Sequence, residues 1–195
     1  MVNDNDMQHL RRCLELAAEA IEAGDEPFGS VLVGGDGAVL AEDRNRETSE
    51  GDQTRHPEFA LARWAAEHLD AAQRAAATVY TSGEHCPMCA AAHGWVRLGR
   101  IVYASSSAQT SAWLADLGVG PSPVRAIPIQ DVAPGVAVEG PVAGMDDEVH
   151  ELHRRYRLGG QLQAATQVLQ VVVVHHEVER TRAHAERLRW TGGSE

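Results

Sequence analysis

The 195-residue sequence predicts an α/β fold, a three-layer α/β/α sandwich built on a mixed five-stranded sheet. Three observations predict it. An amphipathic helical stretch opens the chain, a glycine-rich turn then joins two short apolar runs, and from residue 77 onward strand-like and helix-like segments alternate. A hydrophobic share of 44% suits a domain with a full core. That domain is placed at residues 1–158, with 159–195 as a C-terminal extension of unknown role.

From about Asp6 to Ala23, apolar residues at Leu10, Cys13, Leu14, Ala17, Ala18 and Ile21 recur at helical spacing, with Asp4 or Asp6 as N-cap and Gly24 as the stop. Phe28–Val33 and Ala38–Asp43 flank Gly34-Gly35-Asp36-Gly37, which reads as a hairpin turn; without a Walker lysine it is not a phosphate loop. Glu47–Arg55 reads as a polar loop. Pro57 suits the first turn of a helix running to about His68, because its missing N–H is not needed there. An Ala-rich connection leads to a third strand, Ala77–Thr81, and Pro87 opens a second helix reaching about Leu98. Arg100–Ala104 reads as a strand, Ser107–Leu117 as a helix, and Val124–Ile129 as a fifth strand interrupted by Pro128. Val132–Gly144 reads as a loop and Asp146–Arg157 as a charged helix. In the remainder, Gln161–Glu195, the run Val171–Val174 is too short to cross a bilayer, and adjacent His175 and His176 read as surface residues.

The chemistry concentrates in two places, His56-Pro57-Glu58 and Thr81-Ser82-Gly83-Glu84-His85-Cys86-Pro87-Met88-Cys89. Cys86 and Cys89 have the spacing that lets two sulfurs at a helix start reach one zinc ion, and His56 can supply a third ligand. Three protein ligands leave the fourth tetrahedral position open, as in catalytic and not closed structural sites. Glu58, two residues beyond the histidine, is placed to move protons and is a poor metal ligand. The Cys-x-x-Cys spacing alone serves redox chemistry and structural zinc equally well.

Taken together, His-x-Glu followed by Cys-x-x-Cys resembles the cytidine deaminase-like zinc deaminases. The resemblance runs over about Leu10–Tyr156 and is anchored on Pro27-Phe28-Gly29, Asn45, His56-Pro57-Glu58 and Cys86-Pro87-Met88-Cys89. It implies hydrolytic release of ammonia from an aminated nucleobase or related heterocycle. One Zn²⁺ per chain would be held by His56, Cys86 and Cys89, with Glu58 as the catalytic proton carrier. The nearest branch holds guanine deaminases and tRNA adenosine deaminases, and Cys-Pro-Met-Cys, Thr81-Ser82-x-Glu84 and Trp95 lean towards guanine. Asn45 is implied as a substrate contact. Phe28 and Trp95 are pocket walls or, as readily, ordinary aromatic core. Pro57 stands where the family usually has alanine and His85 where it usually has proline; His85 is open to three roles, binding substrate, tuning the zinc or facing solvent. The resemblance also implies a homodimer.

A formal charge of −11 disfavours nucleic acid and favours a small-molecule heterocycle as partner, since phosphate backbones are bound by excess Lys and Arg. Cys13, the third cysteine, reads as a buried thiol, so no disulfide framework is implied. The acidic, polar N-terminus lacks a secretory signal, which with the absence of an apolar span gives a cytoplasmic expectation. Two other functions stay open at this point: deamination of tRNA adenosine, and a non-catalytic zinc protein that binds a partner.

Overall fold

The computed structural model describes residues 2–160: residues 2–156 belong to one compact unit, and 157–160 are helical residues at the start of a second unit. The sequence features noted in Gln161–Glu195 lie outside the described residues. The elements in order are α1 (Asp4–Glu22), β1 (Gly29–Val33), β2 (Val39–Arg44), α2 (Glu47–Glu50), α3 (Pro57–His68), α4 (Ala71–Ala76), β3 (Thr78–Gly83), α5 (Pro87–Val96), β4 (Arg100–Ser105), α6 (Ser107–Asp116), α7 (Ile129–Val132) and β5 (Ala137–Glu139). A further helix, α8, covers residues 146–156 of the first unit. No helix among the described residues is long and apolar enough to cross a membrane.

The sheet has the order β2-β1-β3-β4-β5. β1 pairs antiparallel with both β2 and β3, whereas β3, β4 and β5 run parallel. The expected mixed five-stranded sheet is therefore present, and its two faces follow from strand alternation. Val31, Val33, Tyr80 and Val102 turn towards α1 and α8, where they join Leu10, Leu14, Val149 and Leu152. Leu32 and Val79 turn the other way, against Leu61, Ala62 and Ala65 of α3 and Leu98 beyond α5. Gly29 makes the close approach of α1 possible, because a Cβ there would collide with the backbone of Cys13 and Ala17.

Four local expectations are corrected. The N-cap of α1 is Asn3, whose Oδ1 accepts from Asn5 and Asp6 N–H, while the Asp6 carboxylate accepts from Asn3 N–H in return. The loop at 47–55 begins with the helical turn α2, because buried Asp25 accepts from Thr48 and Ser49 N–H and so satisfies its first donors. The Ala-rich connection is the helix α4, closed by a reciprocal Asp70–Gln73 cap. The fifth strand is not Val124–Ile129 but Ala137–Glu139, inside the expected loop. Pro123 and Pro128 bring no N–H donors to a ladder, whereas Ala137–Glu139 pairs with Arg100–Val102 and Glu139 accepts from Arg100 Nε at 3.0 Å.

One buried network ties α1 to the sheet. Asp6, 2% exposed, accepts from Tyr80 Oη (2.7 Å), Arg100 Nη1 (2.8 Å) and Asn3 N–H (2.8 Å). Burial works against its charge, but these donors outweigh it and hold the carboxyl at about 2, below its ordinary 3.8. A depressed pKa gives stability that is present above pH 3.8 and lost as pH falls through about 2. The stability difference between the parent and Asp6→Asn should therefore be constant above about pH 4 and shrink by about 2 kcal/mol towards pH 2. Urea unfolding at a series of pH values measures it; a difference independent of pH contradicts the assignment.

Candidate metal centre and adjoining cleft

The topology dictates where the site lies. β2 and β3 are both antiparallel to β1, so they run the same way and end at the same edge of the sheet. From that edge α3 follows β2 through α2, and α5 follows β3 directly. His56 is the N-cap of α3 and Cys86 the N-cap of α5, each with proline next in the helix. Cys89 lies in the first turn of α5 and is fully buried.

The three ligand atoms form a nearly equilateral triangle. Cys86 Sγ lies 3.5 Å from Cys89 Sγ, and His56 Nδ1 lies 3.6 Å from each sulfur. Zinc–sulfur bonds of about 2.3 Å and a zinc–nitrogen bond of about 2.0 Å, at tetrahedral angles, span edges of this length. The electrostatics agree. The Cys89 thiol and His56 hold the Cys86 thiol down to about 4, while the hydrogen bond to Cys86 and burial push Cys89 up. Two thiols sharing one proton are a site that a divalent cation completes by displacing that proton. His56, Cys86 and Cys89 are thus positioned to bind one metal ion.

Glu58 lies at the second position of α3 and is 5% exposed. Burial, with the nearby Cys86, raises its pKa against the pull of His56 and a hydrogen bond from Thr81. That bond, Thr81 Oγ1 to Glu58 Oε1, is 2.8 Å, and Ser30 Oγ donates in turn to Thr81 Oγ1 at 2.9 Å. The Glu58 carboxyl is close enough to act electrostatically on Cys89, as His56 and Cys86 act on it, which places it beside the ligand triangle.

The other residues singled out from the sequence are placed as follows. Phe28 lines a cavity of about 170 Å³ together with Cys86, Pro87, Glu84, Ser107 and Arg125. Its ring packs edge-on against His153 (5.2 Å) and close over Gly83, where a Cβ would come within 2.9 Å of it. Asn45 is fully buried and its amide is half used: Nδ2 donates to Glu47 Oε1 and Oδ1 accepts from Glu47 N–H, both at 3.0 Å. One N–H and one oxygen lone pair of the amide are not used by Glu47. Trp95 is 87% exposed and lines a different groove, with Ala91 and Val136. The buried face of α5 carries Cys89, Ala90 and His93, and position 95 falls on the opposite side. His85 is 1% exposed, which removes the solvent-facing role, and meets His93 edge-to-face at 5.5 Å.

One residue was missed at the sequence level, Glu47, and one that was named there, Glu84, had no structural role given. Glu47, assigned to a polar loop, accepts from His56 Nε2 at 2.7 Å and so turns Nδ1 towards the sulfurs. Glu84 accepts from Ser107 N–H (2.9 Å) and Ile129 N–H (3.0 Å), pinning the starts of α6 and α7 beside the metal loop. The available signal for Glu47 was Asn45 at a strand end, a residue type that caps the N–H two positions on.

Residues 3–105 match the family described as the cytidine and deoxycytidylate deaminase zinc-binding region. A guanine deaminase of Bacillus subtilis is 42% identical over 97 residues, 49% of this chain and 62% of that protein. The match thus spans less than two thirds of that relative. A tRNA-specific adenosine deaminase of Agrobacterium fabrum is 39% identical over 103 residues, covering 51% of this chain and 67% of that protein. Among solved structures, a guanine deaminase from Nitrosomonas europaea superposes with a TM-score of 0.59 at 22% identity, over 81% of this chain and 86% of that one, a likeness of fold.

Because Glu47 orients His56, Glu47→Ala should weaken zinc binding by about 10- to 100-fold. Competition with a chromophoric chelator measures this; affinity equal to the parent's contradicts the assignment.

Proposed function

As the chain belongs to the cytidine and deoxycytidylate deaminase zinc-binding family, we propose that it is a hydrolase that releases ammonia from a free aminated nucleobase or related heterocycle. Guanine is slightly ahead of adenine, cytosine, their nucleosides and triazines. The observation that carries the reading is Glu58: a buried carboxyl with a raised pKa, held by Thr81 within electrostatic reach of His56 and Cys86. A structural zinc site has no use for such a group.

When bound, zinc supplies a Lewis acid that makes water a competent nucleophile near neutral pH. The protein's own residues then do the rest. Glu58 is anchored by Thr81 through Oε1, so Oε2 is the oxygen that exchanges protons. It takes one proton from the attacking water and gives it to the ring nitrogen beside the amine-bearing carbon. It next takes the remaining hydroxyl proton and gives it to the amine, the carbon–nitrogen bond breaks, and ammonia leaves as the ring carbon becomes a carbonyl. A raised pKa suits a group that must both accept and return a proton near pH 7. Phe28 offers the stacking face at the cavity wall.

The preference for guanine is supported by the Bacillus subtilis relative and by Cys-Pro-Met-Cys. Deamination of tRNA adenosine is the second reading, favoured by the Agrobacterium fabrum relative and opposed by the net charge of −11. A homodimer and a cytoplasmic location belong to the same proposal, the former supported by the exposed Trp95 on an apolar groove.

Glu58→Gln should lower kcat for ammonia release by about 100-fold or more while one zinc per chain is retained by elemental analysis. Turnover at the parental rate in a zinc-loaded variant would sink the proposal. Thr81→Val, which strips one hydrogen bond from the carboxyl, should lower kcat by about tenfold with KM little changed, and Thr81→Ser should restore it.

A further inference from the structure

We propose that the cleft beside Cys86 takes an aminated heterocycle bearing an anionic substituent, with the anion received by Arg125. The inference rests on the deaminase reading and narrows its substrate class.

Cys86 and Phe28, the metal end and the stacking face, share one cavity with Arg125, Ser107 and Thr110. Arg125 makes no hydrogen bond or ion pair among the described residues. Arg125 is exposed and shares the lack of a partner with Arg11 and Arg97, but it is the arginine that lines this cavity, whereas Arg44, Arg46, Arg55 and Arg100 are each held by a carboxylate, namely Asp25, Asp43, Glu50 and Asp6. With 28 acidic against 17 basic residues, the chain has carboxylates to spare, yet none is brought to this guanidinium. The one carboxylate on the same wall, Glu84, spends its two oxygens on the N–H groups of Ser107 and Ile129. The Ser107 and Thr110 hydroxyls likewise make no hydrogen bond among the described residues, so they are free to donate.

A bare base fills the stacking face and leaves the guanidinium and both hydroxyls unused. A ring linked to a carboxylate or phosphate uses all of them. The planar fork of arginine matches either anion with two parallel N–H···O bonds, and the hydroxyls can donate to the remaining oxygens. A hydrogen bond to a charged group contributes about 1.5–3 kcal/mol, which corresponds to about 10- to 100-fold in affinity.

The test uses the zinc-loaded full chain and matched pairs of compounds: guanosine against guanosine 5′-monophosphate, and pterin against pterin-6-carboxylate. Ammonia release gives kcat/KM, and calorimetry on Glu58→Gln gives binding without turnover. The expected result is that the anionic member of at least one pair binds about tenfold more tightly or better than its neutral mate. Arg125→Gln should reduce that preference about tenfold, Arg125→Lys should keep part of it, and the pair affected tells phosphate from carboxylate. Equal treatment of both members of both pairs by the parent, or a preference unchanged in Arg125→Gln, overturns the inference and leaves the deaminase reading standing. An Arg125-dependent binding preference with no ammonia released from any compound upholds the inference and removes the deaminase reading.

Discussion

Everything in the described unit depends on two helices starting at one place. An imidazole and two sulfurs 3.5–3.6 Å apart cannot be held by flexible loops without a large entropic cost, and the fold avoids it by putting each ligand at a helix start. β2 and β3 are co-directional because each pairs antiparallel with β1, so the helices that follow them begin at the same sheet edge. Pro57 and Pro87 open those helices with φ already set. The crevice beyond strand ends is where open α/β sheets commonly bind ligands, for the same geometric reason.

The sheet changes character along its length to serve that edge. Its middle is aliphatic, with Val31, Leu32, Val79, Ile101 and Val102 buried. Towards the site the buried positions become hydroxyls: Ser30, Thr81, Ser82 and Ser105, all at most 1% exposed. Each is satisfied, Ser30 on Thr81, Thr81 on Glu58, Ser82 by Gly29 N–H and Ser105 on Ser82 C=O. Burying four hydroxyls would be costly without those partners. With them, the strands present an ordered polar surface that fixes a carboxyl whose other neighbours are sulfur and imidazole.

What was legible in the sequence was what is local. The ligand spacing, the prolines that open α3 and α5, and the strand–turn–strand of β1 and β2 depend on residues within a few positions of each other. Asn45 was a different kind of problem. Its place after β2 was recognisable, but its pairing with Glu47 depends on Asp25, twenty positions upstream, which holds α2 and thereby Glu47. Trp95 could be placed by helix phase, since Cys89 and His93 define the buried face of α5, and phase puts position 95 outside. β5 was not legible because three residues pairing with β4 carry little periodicity of their own; the Arg100–Glu139 contact that accompanies them spans the sequence.

The metal ligands and the cleft wall come from different stretches of chain, and this bears on how far likeness to known deaminases extends. His56, Glu58, Cys86 and Cys89 all fall within the matched residues 3–105. Ser107, Thr110, Val124 and Arg125, which line the cavity with Phe28, lie beyond them. The proposed hydrolytic mechanism needs only the first group, which lies inside the family match. Choice among rings of similar size is made by a few polar contacts at the wall, where one unmatched donor or acceptor outweighs many apolar ones. Glu84 joins the two stretches: it sits two residues before Cys86, and its carboxylate holds the first residue of α6 and the first of α7. Through that carboxylate a wall from outside the family match is registered against the metal centre, so on the proposed reading substrate preference can change there while the ligand triangle and Glu58 stay as they are.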